Sequence, residues 1–328
     1  MDNRTASTPA ATLQPAAVAP DAERSGFHSM VLDHVCMPMQ TGSAHVANVT
    51  GKLLPTPPRP ARRRRGHGAV ATVTTTLKLG TSVLVAPYRG PLQDISQFTT
   101  VDVLSNGRLL LGVGEGWMAE EFTAGHRPAE KGRRTVECIE IYKRCWLDDV
   151  VSFDGEFHRF AELSMDPKPV QRPHPPIIYG GVSPLGARRA ARRCDGFYPL
   201  FLDPFAEPAR YRSHQDEIRR VLDEIGRDPA TFTMMGAATV HLTDRDGSGD
   251  GAAGRSPDGR RMICTGRPAD VVEDLARFAA EGYSLLVLKV VCPSGDVSEL
   301  RDTIARIGEE VIPAAAGLVP AGGWQPSL

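Results

Sequence analysis

Short apolar runs of strand length alternate with amphipathic segments of helix length along most of the chain. The strand-like runs are centred near seven residues: Met30, Leu79, Leu110, Ile178, Phe197, Met235 and Leu286. Helical patterns with capping signals at their ends cover segments 91–101, 133–146, 184–193, 206–225, 268–281 and 297–312. Strands that alternate with helices in this way predict a parallel sheet with crossover helices.

A closed barrel of eight strands needs one strand more, and that strand should precede Asp21. Residues 1–20 are rich in Ala, Thr and Pro and have no strand periodicity, which predicts an irregular or disordered tail. No convincing strand is found there, so the pattern by itself predicts one α/β domain over residues 21–316 with an atypical N-terminal strand region. A second tail is predicted for residues 317–328.

A glycine-rich stretch follows the third strand-like run, where Gly112, Gly114 and Gly116 alternate with Val113 and Glu115. A dinucleotide fingerprint needs a third glycine three positions after the second, and this chain has a tryptophan there, which excludes it. Two interpretations remain open. The glycines either admit a planar or anionic ligand close to the backbone or simply let the chain leave the strand.

A second glycine turn follows the strand near Ile178 and has the sequence Gly180-Gly181-Val182-Ser183, with a proline next. Serine is a good N-cap and proline a good first helical residue, so a helix is expected to begin here. The N-terminus of a helix attracts a phosphate through its free N–H groups and its dipole. The turn is therefore a candidate phosphate site, although an ordinary capped helix would show the same pattern.

Asp33 and His34 follow the strand near Met30, at the end of the strand that carries the chemistry in parallel α/β folds. Histidine exchanges protons near neutral pH, which makes His34 a candidate general acid or base. The alternative is a histidine that is only hydrogen-bonded at the start of a loop.

Composition favours a small-molecule ligand. The formal net charge is -1 and the pI is near 6.8, so no global field would collect nucleic acid or acidic lipid. Four consecutive arginines at 62–65 lie in a proline-rich segment without aromatic neighbours and predict a solvated loop. Six cysteines without a C-x-x-C pair, and no apolar run of about 20 residues, predict a cytoplasmic protein with ordinary thiols and no metal site.

Four linked motifs carry a resemblance to a known family. They are LGTSVLVAP at 79–87, DVLSNGRLLLGVGEGW at 102–117, FDGEF at 153–157 and PKPVQRPHPPIIYGGVSP at 167–184. In this order they resemble the luciferase-like monooxygenase superfamily, and within it the oxidoreductases that depend on the deazaflavin coenzyme F420. The resemblance covers about residues 21–35 and 72–312.

The resemblance implies a TIM (β/α)8-type barrel with insertions, usually a homodimer, with the cofactor ring across its carboxyl-terminal mouth. It implies that His34 contacts the ring as a proton-transfer group and that Glu115 is an orienting or secondary proton group. The implied cofactor-binding residues, with a cis peptide between the second and third, are Asp33, Ser82, Val83, Gly114, Gly180, Gly181, Val182 and Ser183.

The implied function is hydride transfer between reduced F420 and a small organic substrate, or monooxygenation, with FMN as the alternative cofactor. The protein would hold the cofactor, exclude water and supply a proton. Two departures from the family pattern, the weak N-terminal strand and the Pro- and Arg-rich run before residue 72, leave a rival hypothesis open. That rival is a degenerate, non-catalytic barrel that serves as a cofactor-binding or interaction module.

Overall fold

All seven predicted strands are present in the computed structural model, which describes residues 15–31, 66–116, 128–200, 204–243, 261–292 and 296–326. The strands are β1 (Ser29–Val31), β2 (Lys78–Gly80), β3 (Leu84–Val85), β4 (Leu109–Gly114), β5 (Val151–Asp154), β6 (Arg159–Leu163), β7 (Ile177–Gly180), β8 (Gly196–Tyr198), β9 (Thr233–Leu242), β10 (Thr265–Gly266) and β11 (Leu285–Val290).

The main sheet is parallel, in the order β1-β2-β4-β7-β8-β9-β11, with the short β3 beside β4 and β10 beside β9. Each strand of this order is hydrogen-bonded to the one that precedes it in the order, so the sheet is built by crossover connections between neighbouring strands. Within the described residues β1 pairs only with β2 and β11 only with β9, so the sheet does not close there. All seven strands present their carboxyl ends at one edge.

The helices after residue 90 agree closely with the periodicity of the sequence, whereas the helix at 66–73 lies in a segment for which none was expected. The helices are α1 (Pro15–Arg24), α2 (Gly66–Val73), α3 (Pro91–Leu104), α4 (Lys131–Leu147), α5 (Pro184–Arg193), α6 (Pro208–Ile225), α7 (Pro268–Ala280), α8 (Val297–Arg306) and α9 (Ile312–Ala315). Between α8 and α9 the chain continues as a π-helical turn, Ile307–Val311. The FDGEF motif at 153–157 lies at the turn of a hairpin, β5–β6, an antiparallel pair beside α4.

Three predicted elements differ from the structure. The run 77–85, expected as one strand, is interrupted at residues 81–83 between β2 and β3. Helix α1 begins at Pro15, inside the segment expected to be an irregular tail. Strand β11, expected to be buried, is half-exposed because only β9 covers it among the described residues.

Side chains pack on both faces of the sheet. The inner face, which points toward the barrel axis, holds a small cluster of Leu110, Ile178, Tyr198 and Met235. The outer face packs against the helices in a much larger cluster that includes Val113, Tyr179 and Phe197. Successive residues of a strand point to opposite faces, so position parity assigns each site residue to the axis or to the helix layer.

Helix α1 is tied to the start of β2 through the carboxylate of Glu23. This carboxylate accepts hydrogen bonds from the backbone N–H groups of Thr75 (2.7 Å), Thr76 (2.5 Å) and Leu77 (2.9 Å). Burial alone would raise the pKa of Glu23, but the bonds from Thr76, Leu77 and Thr75 lower the pKa to about 2. The first described helix is therefore fixed to the sheet by a charged anchor.

The buried His214 of α6 is expected to make the free energy of unfolding sensitive to acid. Its ring is fully buried with an edge contact to Phe197, and neither ring nitrogen has a hydrogen-bond partner among the described residues. Burial, with a smaller effect of the Arg210 charge, lowers the pKa of His214 to about 4. The unfolded chain binds a proton near pH 6.5 and the folded chain does not, so stability is lost as the pH falls from 6.5 toward 4.

His214→Phe keeps the ring contact and removes the proton acceptor. We expect this variant to recover about 2–3 kcal/mol of the acid-induced loss between pH 6.5 and 4, measured by urea unfolding across that range. His28→Gln, a change at an exposed histidine, is the control and should leave the pH profile as in the wild type. Identical pH profiles for wild type and His214→Phe would contradict the assignment.

Candidate functional site

The segment between β2 and β3 folds toward the barrel axis and covers β4 near the carboxyl ends of the strands, which we call the mouth of the barrel. Thr81 donates its hydroxyl to the carbonyl of Gly112 (2.6 Å) and its N–H to the carbonyl of Leu110 (3.3 Å). The peptide bond between Ser82 and Val83 is cis, as the family resemblance implies. These contacts place residues 81–83 on the axis side of the sheet, beside the ends of β4 and β7.

The glycines of β4 and β7 provide space for Val83. A Cβ added at Gly114 would lie 2.6 Å from Val83 Cγ2, and one at Gly180 would lie 2.9 Å from Val83 Cγ1. A Cβ at Gly112 would overlap the Thr81 carbonyl oxygen. The glycine-rich pattern is therefore explained by close approach of the chain to itself, and this contact brings predicted site residues Ser82, Val83, Gly114 and Gly180 together.

The turn between β7 and α5 has the predicted cap. The Ser183 hydroxyl accepts the N–H of Gly186 (3.2 Å), and the Ser183 carbonyl accepts the N–H of Ala187 (3.1 Å). Gly181 donates its N–H to the carbonyl of Tyr198 (3.0 Å), so this glycine is not the open donor that the sequence suggested. The turn itself is on the surface, and Val182 is 40% exposed.

Three backbone donors remain at this turn. The N–H groups of Val182, Ser183 and Leu185 have no acceptor within the part of the chain that the structure describes. No acidic residue lies in the first turn of α5, and the guanidinium of Arg210 lies beside it, donating to the Val182 carbonyl (2.9 Å). The guanidinium of Arg210 is also paired with Glu207 (3.1 Å), so the N–H groups and the helix dipole are what suit an anionic group here.

Glu115 lies directly after β4 and is held by two groups. Its Oε1 accepts a hydrogen bond from the Tyr179 hydroxyl and a charged bond from Nη1 of Arg189 on α5 (2.6 Å). Burial raises the pKa of Tyr179 well above its ordinary value, and the neighbouring Glu115 charge raises it further. Tyr179 is therefore a neutral donor that stabilises a carboxylate beside it.

Tyr198 was not singled out by the sequence. It belongs to the axis-side cluster, and its hydroxyl is buried without a partner of hydrogen-bond geometry among the described residues. Burial raises the pKa of Tyr198 to about 12, while the nearby Ser82 side chain acts in the opposite direction. A polar atom in this apolar layer, beside the cis peptide, is the kind of signal that only the folded chain reveals.

The structure does not describe every predicted site residue. Asp33, His34 and the tryptophan at 117 lie outside the described residues, as do the arginines at 62–65, so these predictions stay predictions. Among the described residues no group of three or more His, Cys, Asp or Glu side chains is placed to hold a metal ion. No described helix is long and apolar enough to cross a membrane.

A groove of about 530 Å³ lies between α4, α5 and the β5–β6 hairpin. Its cationic lining residues are Arg133, Arg144, Arg188, Arg189, Arg192 and Arg193. Each of these arginines is paired with a carboxylate of the same chain. The arginines of the groove are therefore already neutralised by carboxylates of the same chain. We place the candidate site instead at the carboxyl ends of the strands.

Three features indicate the class of protein. They are a parallel barrel-type sheet, an inward-folded cis peptide and a capped glycine turn at the carboxyl ends of the strands. Residues 67–248 match the family model of the luciferase-like monooxygenases. This match spans more than half of the chain, and the chain belongs to that family. Its fold is accordingly the TIM-type barrel of luciferase-like proteins.

Curated relatives use two different cofactors. The chain is 28% identical over 257 residues to an FMNH(2)-dependent dimethylsulfone monooxygenase of Pseudomonas putida, covering 67% of this chain and 70% of that protein. It is 27% identical over 302 residues to an F420-dependent glucose-6-phosphate dehydrogenase of Intrasporangium calvum, covering 79% of this chain and 88% of that protein.

Solved structures agree on the fold. An F420-dependent secondary alcohol dehydrogenase superposes with a TM-score of 0.71 at 18% identity, covering 92% of this chain and 94% of the other. The monooxygenase RslO1 from Streptomyces bottropensis superposes with a TM-score of 0.70 at 21% identity, covering 92% of both chains. At these identities the comparison establishes the architecture alone.

Proposed function

We propose that this protein is an F420-dependent oxidoreductase that transfers a hydride between the deazaflavin and a small organic substrate. The observation that carries the proposal is the set of backbone N–H groups at Val182, Ser183 and Leu185, which have no acceptor among the described residues. They lie on the turn where the family resemblance implies a cofactor phosphate. A relative named for F420 dependence aligns over 79% of the chain, which supports the choice of cofactor.

The residues present fit such a cofactor. The β7–α5 turn would hold its phosphate by backbone donors and helix dipole, without a carboxylate in the first helical turn to oppose it. The inward-folded segment with Ser82 and Val83 would form the wall on which a planar ring rests. The cofactor supplies the hydride chemistry, and the chain binds it, orients it and keeps water away.

Proton transfer is assigned to His34, which follows β1 by three residues along the chain. Its neighbour Asp33 is proposed to help hold the cofactor. We expect the substrate to be a small organic molecule and the protein to form a homodimer in solution, which light scattering would test. Substrate choice would come from the segments that follow β1 and β4 along the chain.

A second candidate is an FMN-dependent monooxygenase. The relative named as FMNH(2)-dependent aligns over 67% of the chain, and a phosphate turn of this kind serves a flavin nucleotide equally well. The rival of a non-catalytic barrel rests on the open edge between β1 and β11 in the described residues.

Titration of the purified protein with F420 and, separately, with FMN tests these alternatives. We expect saturable micromolar binding of F420, followed through quenching of the intrinsic tryptophan fluorescence. His34→Ala should retain binding and lose turnover, because the histidine is assigned to the proton and not to the phosphate. Preferential binding of FMN, or a flavin that co-purifies, would favour the monooxygenase. Binding of neither cofactor would support the non-catalytic barrel.

A further inference from the structure

Glu115 points away from the barrel axis. Its neighbours in β4 alternate, with Gly114 facing Val83 on the axis side and Val113 in the outer cluster, so position 115 belongs to the outer face. Its Oε1 contacts confirm this direction, because Tyr179 belongs to the outer cluster and Arg189 to helix α5. The carboxylate of Glu115 therefore lies between the sheet and the helices, on the face opposite the barrel axis.

The guanidinium of Arg189 lies in the space left by Gly132, where any larger side chain would displace it. A Cβ at Gly132 in α4 would lie 2.5 Å from Cζ of Arg189 and 2.7 Å from Nη2. Lys131 donates its ammonium to the carbonyl of Gly116 (3.3 Å), immediately after Glu115. The first turn of α4, the middle of α5 and the exit of β4 therefore meet at one ion pair.

This pair is more enclosed than the other ion pairs of α5. The side chains of Arg189 and Glu115 are 21% and 18% exposed, whereas Arg188 and Arg192 are 50% and 41% exposed in their pairs with α6. Exposed pairs contribute little, while a part-buried pair with two donors on one oxygen fixes the geometry of its neighbours. Arg189 lies six residues after Ser183, on the helix whose start forms the phosphate turn.

We propose that Arg189 is a positioning residue that acts through Glu115, tying α5 and its phosphate turn to the end of β4. In this account Glu115 sets the affinity for the cofactor phosphate and transfers no proton. The inference rests on the proposed function, because it assumes that a phosphate-bearing cofactor binds at this turn. The family resemblance left two roles for Glu115, an orienting group or a secondary proton group. The inference assigns it the orienting role.

The test compares dissociation constants for F420 and FMN in the full-length wild type and matched variants. Glu115→Gln, Arg189→Met and Gly132→Ala should each weaken binding about tenfold, since a misplaced binding turn costs affinity without removing a contact. Arg188→Met removes the same charge from the same helix but leaves Glu115 untouched, and should stay within about threefold of wild type. Thermal melting of every variant reports whether it folds.

Three further results distinguish a displaced phosphate turn from a general loss of stability of the protein. The double variant Glu115→Gln/Arg189→Met should bind no more weakly than the weaker single variant, because both changes break one interaction. Arg189→Lys, which keeps a charged donor, should recover most of the affinity. At saturation, the absorption spectrum of the bound cofactor should be the same in Glu115→Gln as in wild type, because the carboxylate does not face the ring.

The inference is overturned if Glu115→Gln binds as tightly as wild type, or if it shifts the spectrum of the bound cofactor. It is also overturned if Arg188→Met weakens binding as much as Arg189→Met, which would indicate a charge effect. Should Arg189→Met fail to fold, Gly132→Ala and Arg189→Lys still decide the question. Failure of the wild type to bind either cofactor would refute the proposed function and this inference with it, a result distinct from the others.

Discussion

Gly112→Ala is expected to destabilise the protein by about 3 kcal/mol or more, enough to prevent folding of a marginally stable chain. The new Cβ would overlap the carbonyl oxygen of Thr81 and lie 3.1 Å from its carbonyl carbon and 3.2 Å from Val83 Cγ1. Backbone cannot swing aside as a flexible side chain can. The change should therefore separate residues 81–83 from β4, and chemical unfolding would measure the loss.

Gly181→Ala is the control for this prediction. Its new Cβ would lie 3.5 Å from the rings of Phe197 and Tyr179, which is ordinary van der Waals contact. We expect a change in unfolding free energy within about 0.5 kcal/mol at this position. Equal stabilities of Gly112→Ala and Gly181→Ala would show that the inward fold of residues 81–83 is wrong.

Arg108→Met is expected to cost about 3–5 kcal/mol, because it removes several hydrogen bonds from a charged donor and leaves buried acceptors unsatisfied, at about 1–3 kcal/mol each. Arg108 is 7% exposed and donates five side-chain hydrogen bonds, to the carbonyls of Ser105, Leu77, Ala71 and Thr74 and to the Thr74 hydroxyl. Methionine fills much of the volume but leaves these acceptors without donors. Helix α2 would lose its tie to the start of β4.

Arg159→Met provides the matched comparison, because Arg159 is paired with Asp154 on the exposed hairpin. Both side chains are about three-quarters exposed, and such pairs are worth at most about 1 kcal/mol. Unfolding in guanidinium chloride should separate the two variants clearly. A loss at Arg108 as small as the loss at Arg159 would mean that α2 is not held by this guanidinium.

Much of the fold could be predicted from the sequence. Strand β9 contains the apolar run expected near Met235, and α6 ends at Gly226 with a positive φ of 68°, as a C-terminal glycine predicts. Ser183 caps α5 as expected. These features are local: each depends on periodicity, a capping side chain or a single glycine, all of which are visible in a short window of sequence.

The rest depends on contacts between distant residues. Arg108 follows a turn signal and gives no sign in the sequence that five acceptors surround it. The direction of Glu115 depends on Arg189, 74 positions later, and on the space at Gly132. The interruption of the β2–β3 run arises because Thr81 bonds to Gly112 across the sheet. The sequence pattern alone could place Glu115 at the carboxyl end of its strand. It could not show whether the side chain faces the barrel axis or the helices.

The structure also improves the design of a binding test. A side chain at Gly181 would face Phe197 and Tyr179, so a carboxylate there would be buried among rings and would destabilise the fold. Val182 is exposed on the same turn, and its N–H group has no acceptor among the described residues. A charge introduced at Val182 therefore reports on an anion at the turn without disturbing the core.

The most direct test of the central claim, that a cofactor phosphate binds at the β7–α5 turn, is a titration of Val182→Asp and Val182→Asn with F420. The two variants differ only in charge. We predict that the aspartate raises the dissociation constant at least about tenfold by repelling the phosphate, and that the asparagine stays within about threefold of wild type. Equal affinities of the two variants, with wild type binding normally, would place the phosphate elsewhere and contradict the account.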